Sequence, residues 1–417
     1  MEIYDVIVLG GGPAGMMAAG SAAEKGAKVL LMEKMGSLGR KLLISGSGRC
    51  NITNTITDTK EFISRFGNSG KFLYPAMNLL STADTVNFFE SRGLKTVTEN
   101  GTKIFPASDS AADVLSVLTS YMKQHGVAIK QGVIIKEIKT GDGKISSVSA
   151  ADGEYLCKSL IIATGGMSYP KTGSAGDGYS YAKKLGHSIT PPVPALVPVV
   201  VKEQWVRHLQ GLSLRDAVFT VYKDGRKTAS ERSDAVFTDS GLSGPAIYNL
   251  TRKIDVTEKG LTLIIDRIPG RDFEDVDREL AEAASVYGKK QLKNMLEKFF
   301  PPKMLPIVPE LSGADPEMRA GNLGKDVRKK ITALIKEMKL TVDRFAGFER
   351  AVVTSGGVSL KEIEPKTMSS KIIPNLFFAG EVIDLDGPTG GFNLQLCWST
   401  GRLAGVSAAQ LYNSVHT

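Results

Sequence analysis

Apolar residues fall into two textures along this chain. Residues 3–9, IYDVIVL, form a β-rich apolar run that stops at Gly10-Gly11-Gly12-Pro13-Ala14-Gly15. From Ala14 to Lys25 the pattern turns helical, rich in alanine and methionine, and it ends at Gly26. Lys28 to Glu33, KVLLME, is a second apolar strand that finishes in an acid. Strand, helix and strand in that order predict a parallel βαβ unit. Two later segments look alike: Ser159 to Ile162 leads into one glycine turn and Asn375 to Phe378 into another. A helical stretch then runs from near Gly391 to about Tyr412.

Between about 191 and 345 the texture changes. Pro191, Pro192, Pro194 and Pro198 mark its start. β-rich runs follow at 196–202, 217–222, 236–238 and 261–265, and then helical patterns at 275–299 and 327–338. Val327, Ile331, Leu334, Ile335 and Met338 share one helix face. The expected fold is therefore α/β: a discontinuous Rossmann-like domain over 1–190 and 346–417, with an insert over 191–345. The insert is expected to be a small barrel or sheet over 191–270 and helical over 271–345. Pockets favour domain junctions, so substrate is expected where insert and main domain meet.

The turn at Gly10–Gly15 lies between a strand and a helix, the context a dinucleotide fingerprint requires. Gly10 makes the tight turn, Gly12 lets backbone approach a pyrophosphate, and Gly15 lets helix and strand sit close. The helix starting at Pro13 and Ala14 would point its free amides at the phosphates. Glu33 would bond a ribose diol and repel a 2′-phosphate, which disfavours NADP here. The same fingerprint serves NAD and FAD, and three other stretches favour FAD.

The first is Lys34 to Asn54, read as one long ordered loop rich in glycine, serine and basic residues. Lys34, Ser45, Gly46, Gly48, Cys50 and Asn51 would line an extended cofactor. Arg40, Lys41 and Arg49 would offset phosphate or flavin charge. The second is the strand end Ala163-Thr164-Gly165-Gly166, where small residues abut a ligand, followed by TGSAGDG (172–178) with Asp177 placed to cap a helix. This pairing looks like the succinate dehydrogenase and fumarate reductase group. The third is Ala379-Gly380-Glu381 with the turn Gly391-Phe392-Asn393-Leu394, whose helix would aim its positive end at the ring.

Composition changes little. With 417 residues, 42% hydrophobic and 23% charged, the chain has the make-up of an ordinary soluble protein, too long for one simple core. No run approaches the roughly 20 apolar residues of a membrane span. The chain begins directly with a strand, so no signal peptide or membrane partner is expected and the location is read as cytoplasmic. Cys50, Cys157 and Cys397 lack metal or CxxC spacing, so no metal is expected. Cys50 is read as a small residue packed near the flavin; a redox pairing with Cys397 is the alternative. His125, His187, His208 and His416 are scattered, and no catalytic residue is assigned. Arg49, Tyr169 and the turn Ser355-Gly356-Gly357 are candidates for the substrate side by proximity alone. The net charge of +8 is spread along the chain, and no nucleic-acid module is present. Oligomeric state is not legible.

The motifs GGGPAG, GRKLLISGSGRCN, ATGG, FTDSGLSGPAI, VTSGGVSLKEI and FFAGEVIDLDGPTGGFN together resemble the HI0933-like flavoproteins nearly end to end. That resemblance implies non-covalent FAD in a two-dinucleotide-type (Rossmann-like, β/β/α) fold with an inserted domain. It also places Gly132-Val133 by the adenine through backbone contacts. The implied activity is an FAD-dependent oxidoreductase, read as a reductase of an activated C=C or C=O in a small molecule. NAD(P)H would be a transient donor, since no second glycine fingerprint follows a strand. An oxidase of a small amine is the alternative, and an RNA-associated or non-catalytic flavoprotein a further one.

Overall fold

The computed structural model describes residues 2–413. The chain divides into two compact units: residues up to Pro194 with those from Ala351 onward, and Ala195–Arg350.

Among the described residues, the main sheet of the first unit has seven strands. Its order is Ala128–Gln131, Val29–Glu33, Ile3–Leu9, Gly153–Ile162, Lys144–Ala150 and Ile135–Gly141, and Leu376–Phe378 also pairs with Gly153–Ile162. The first four strands and Leu376–Phe378 run parallel. The hairpin strands at 135–150 are antiparallel. Val6, Ile7 and Val8 are fully buried, as a parallel strand covered on both faces requires. Register decides where the site lies. Leu9 stands opposite both Met32 and Ile162, and Phe378 also stands opposite Ile162. The strands end level, so the segments after them, 10–15, 163–166 and 379–381, all leave from the carboxyl end of the sheet. Ligands of open α/β sheets bind there.

The helix Pro13–Glu24 is buried at every position from Ala14 to Ala23. It packs on the sheet and against the final helix, Phe392–Asn413. Its alanines and glycines leave no wide polar face because no face meets water. A Cβ at Gly401 or Gly405 would strike the backbone carbonyl of Ala14 or Ala18, so the two helices touch main chain to main chain.

The second unit holds a closed antiparallel barrel, ordered Val199–Val201, Gly241–Ser243, Arg226–Phe237, Ser213–Lys223, Leu261–Asp266 and Met338–Phe345. Ala217, Phe219 and Val221, then Leu261, Leu263 and Ile265, then Met338, Leu340 and Val342 are buried at every second position. Together the Rossmann-type sheet and this barrel make the α/β architecture expected from the sequence. Two local expectations are corrected. The helical pattern over 275–299 is two helices, Phe273–Val286 and Leu292–Leu296, parted around Gly288. The region 271–345 is not helical throughout: the helix ends at Lys336, and Met338 opens the barrel's closing strand. Met338 fits the helical period by coincidence, since a strand of alternating apolar residues can share its first position with the preceding helix face. Only the end of the strand Arg226–Phe237 was expected, as the run at 236–238, because the rest of the strand is mostly polar.

A Cβ on Gly15 would fall well inside contact distance of the Gly10 carbonyl, with the Ala163 side chain also within reach. Both neighbours are pinned by the sheet, so Gly15→Ala is expected to lower stability by roughly 1–3 kcal/mol in urea titrations. An unchanged midpoint would contradict this packing.

Candidate functional site

A cleft enclosing about 1300 Å³ of empty space, part of it open to solvent, follows the carboxyl end of the main sheet. Most of the expected residues meet there. Gly10, Gly12, Pro13 and Ala14 form one wall, with Glu33 and Lys34 beside them. Arg40, Lys41 and Ser45 come from the next segment, and Val133 from the turn after the Ala128–Gln131 strand. Ala163, Thr164 and Gly165 arrive from the central strand, and Glu381, Asn393 and Leu394 from the C-terminal part. A helix begins at Pro13 without a side-chain cap, so its first amides are left for another acceptor. A Cβ on Gly12 would meet no protein atom within 4 Å, so that glycine leaves open space beside the helix start. The Thr164 hydroxyl is buried without a protein partner.

Gly15, Gly46, Gly48, Arg49, Cys50, Asn51, Gly166, Gly380, Gly391 and Phe392 do not line the cleft. Several of them build its support. Segment 34–54 is not one loop: Arg40–Ile44 is a short helix started by left-handed Gly39. Gly46, Ser47, Gly48 and Cys50 then take left-handed φ of 55°, 60°, 87° and 62°. That tight reversal delivers the strand Thr53–Asn54. With its amide oriented to suit its neighbours, Asn51 donates to the carbonyls of Thr53 and Ile104 and accepts from Gly391 N. Gly391 sits so close to Thr53 that any side chain there would overlap its backbone. Phe392 packs with Phe62 and Phe66. Gly166 lies against Thr354 and Gly380 against Ala14.

Arg49 is the clearest correction among the charged residues. Its guanidinium pairs with Glu99 and Asp109 and lies over the Phe105 ring, with centroid distance 4.4 Å. Its charge is matched by two carboxylates and does not face the cleft. Asp177 is also reassigned: Gly176 holds the cap position, and Asp177, in the first turn, pairs with Lys34. Tyr169 and residues 355–357 do not line the cleft either; Val352 and Val353 do.

The cleft's charges are ordered by backbone. Glu33 accepts from Gly11 N at 2.6 Å and from Met35 N at 2.7 Å, so its carboxylate is fixed across the strand end. Lys41 Nζ lies 2.6 Å from Glu381 Oε2, and Glu381 Oε1 accepts from Thr354 N at 2.7 Å. The Thr354 hydroxyl accepts from Met167 N at 2.8 Å and Ser168 N at 3.2 Å. Four segments distant in sequence are thereby tied into one hydrogen-bonded chain. Thr354 was missed as a contributor because a threonine in a strand carries no local signal. Gln395 was missed likewise: buried, it accepts from Thr53 Oγ1 at 2.6 Å and donates to Thr85 Oγ1 at 2.8 Å and to the carbonyls of Leu80 and Ser81. It clamps the strand at 53–54 beneath the last helix.

Cys50, Cys157 and Cys397 are free thiols. Of the histidines, His187 is buried, with Nε2 2.8 Å from Ser370 Oγ and its ring against Phe378. His125 packs on Tyr121, and His416 lies outside the described residues. Among the described residues no cluster of three or more His, Cys, Asp or Glu side chains is arranged to hold a metal, and no helix is long and apolar enough to cross a membrane.

A level-ended parallel sheet with an uncapped helix at its glycine turn and an acid ending its second strand is the arrangement of a dinucleotide site, and the relatives place the chain among FAD-dependent oxidoreductases. More particularly, the chain belongs to the HI0933-like family, whose Rossmann-domain model matches residues 4–407. It is 31% identical over 409 residues to the 3-dehydro-bile acid delta(4,6)-reductase of Clostridium scindens, covering 97% of this chain and 98% of that one. It is 29% identical over 409 residues to the ribosomal RNA dihydrouridine synthase of Haemophilus influenzae, covering 97% and 98%. Its fold is similar to that of the 3-ketosteroid-delta4-(5alpha)-dehydrogenase of Rhodococcus jostii RHA1. The TM-score is 0.55 at 16% identity, with 98% of this chain and 97% of that chain covered.

Burial pushes the thiols of Cys50, Cys157 and Cys397 up to about 12. At pH 8 the thiolate fraction is then roughly one part in ten thousand. All three are expected to resist iodoacetamide in the native protein at pH 8 and to react fully once unfolded. Rapid native labelling of Cys50 or Cys397 would restore the redox reading.

Proposed function

We propose that the cleft binds FAD non-covalently and that the protein is a NAD(P)H-linked reductase of a C=C bond conjugated to a carbonyl. The observation that carries this reading is the convergence of the uncapped helix start, Glu33, the 163–165 turn and Glu381 with Asn393 on one cleft. The amides around Gly12 to Ala14 suit a pyrophosphate, and the open space at Gly12 is where such a group needs close backbone approach. Glu33, held by two amides, suits a ribose diol, and Val133 the adenine side. Lys41, Glu381, Asn393 and Leu394 would face the ring, while Arg49, Cys50, Asn51, Gly391 and Phe392 hold the wall in place.

When bound, FAD would supply hydride-transfer chemistry between NAD(P)H and an electron-poor carbon, with a proton completing the product. The chain's residues bind, orient and set charge around it. The substrate class draws on the relatives' names. A delta(4,6)-reductase of a 3-dehydro-bile acid and a dihydrouridine synthase both saturate a C=C bond within reach of a carbonyl. That shared chemistry favours a reductase over an amine oxidase.

A second reading has its own support: the substrate is a uracil base within RNA. The likeness to the ribosomal RNA dihydrouridine synthase runs over 97% of this chain, and the net charge is +8. Mass spectrometry of ribosomal RNA from cells lacking the protein separates the two, since loss of one dihydrouridine selects RNA.

Purified protein is expected to be yellow. Without oxygen, NADH or NADPH should bleach it and an α,β-unsaturated ketone should restore the colour; bleaching by small amines instead would select the oxidase. Gly12→Ala should leave the unfolding midpoint within about 0.5 kcal/mol while weakening FAD binding at least tenfold. Full retention of FAD by this variant would sink the placement of the pyrophosphate.

A further inference from the structure

We infer that the Lys41–Glu381 ion pair acts as a charge balance that sets how readily the bound flavin accepts electrons. The inference rests on the reading that FAD occupies the cleft. The two residues stand 340 positions apart in sequence, yet both line the cleft and their charged atoms lie 2.6 Å apart. Their side chains are only 22% and 16% exposed. Of the other charged groups in the cleft wall, Lys34 pairs with Asp177, Glu33 is bound by the amides of Gly11 and Met35, and Arg40 comes from the first turn of the short helix Arg40–Ile44. Around Glu381 the remaining lining groups, Asn393, Leu394 and Cys397, are uncharged. The pair is thus the charged group set among these uncharged ones.

Glu381 is not free to turn away, because its second oxygen is held by Thr354 N at 2.7 Å. Thr354 is in turn fixed to Met167 N and Ser168 N. The carboxylate thus positions the Lys41 ammonium and cancels it. Reduction adds two electrons and one proton, delivered as hydride from NAD(P)H, and leaves one net negative charge on the ring. A balanced pair gives that charge little help. Removing one partner leaves a unit charge in a partly dry wall, where screening is weaker than in water.

The test measures the two-electron midpoint potential against reference dyes, and the sulfite affinity of the oxidised flavin, which follows the same local field. Glu381→Gln leaves Lys41 unbalanced and should favour the reduced form about tenfold, an upward shift of roughly 30 mV for two electrons. Lys41→Gln should shift it down by a similar factor, and the double variant should return close to the starting value. Lys41→Arg, which keeps the charge, should stay near wild type and guards against a variant that fails to fold. If the single variants hold flavin with an unchanged potential, or both shift it the same way, the charge-balance role is overturned while the cofactor reading stands. If the wild-type chain holds no flavin, both fall together.

Discussion

The first unit is held by a contact of main chain against main chain: the helices Pro13–Glu24 and Phe392–Asn413 meet where Gly401 and Gly405 lie on the carbonyls of Ala14 and Ala18. Side chains there would push the helices apart. That contact brings the start of the chain and its end to the same place, one helix beginning at the fingerprint turn and the other beside Gly391. The rest of the site depends on it. Gly391 can press on Thr53, Gln395 can accept from the Thr53 hydroxyl and Trp398 can donate to the Ile52 carbonyl only because the final helix is held at that depth.

The second constraint is register. Parallel strands whose last residues stand opposite one another release their loops at one level, and a small error of register would separate the turns. Leu9, Met32, Ile162 and Phe378 share that level. What gathers at the sheet end is mostly backbone: glycine turns, an uncapped helix and a few charged side chains, most of them already paired or held by amides. Such a surface is suited to a large ligand with its own reactive ring. It offers binding and orientation. The thiols that border or underlie it are held neutral by burial, in keeping with a supporting role.

Much of this was legible locally. The turn at 10–15, the acid at 33 and the strand ends at 163 and 379 announce themselves because glycines and apolar runs have meaning at short range. The support beneath them was not legible. Arg49 reads as a cofactor cation until the fold brings Glu99 and Asp109 to it from 50 and 60 residues away. Thr354 and Gln395 read as ordinary residues until their partners arrive from distances of 187 and 342 residues. The polar part of the strand Arg226–Phe237, ahead of Val236, could not be recognised by its pattern because barrel closure, rather than its own sequence, supplies its neighbours.

By itself, then, the sequence determined the α/β class, the glycine turns and the acid that follows the second strand. These depend on backbone freedom and on patterns of a few residues. Tertiary structure alone decided which cations stay free to meet a ligand and which carboxylates cancel them. It also decided which residues face the cleft and which stand behind it. The physical reason is range: charge pairing and packing act between atoms that are close in space, and nothing in a linear pattern states which distant residues will be close.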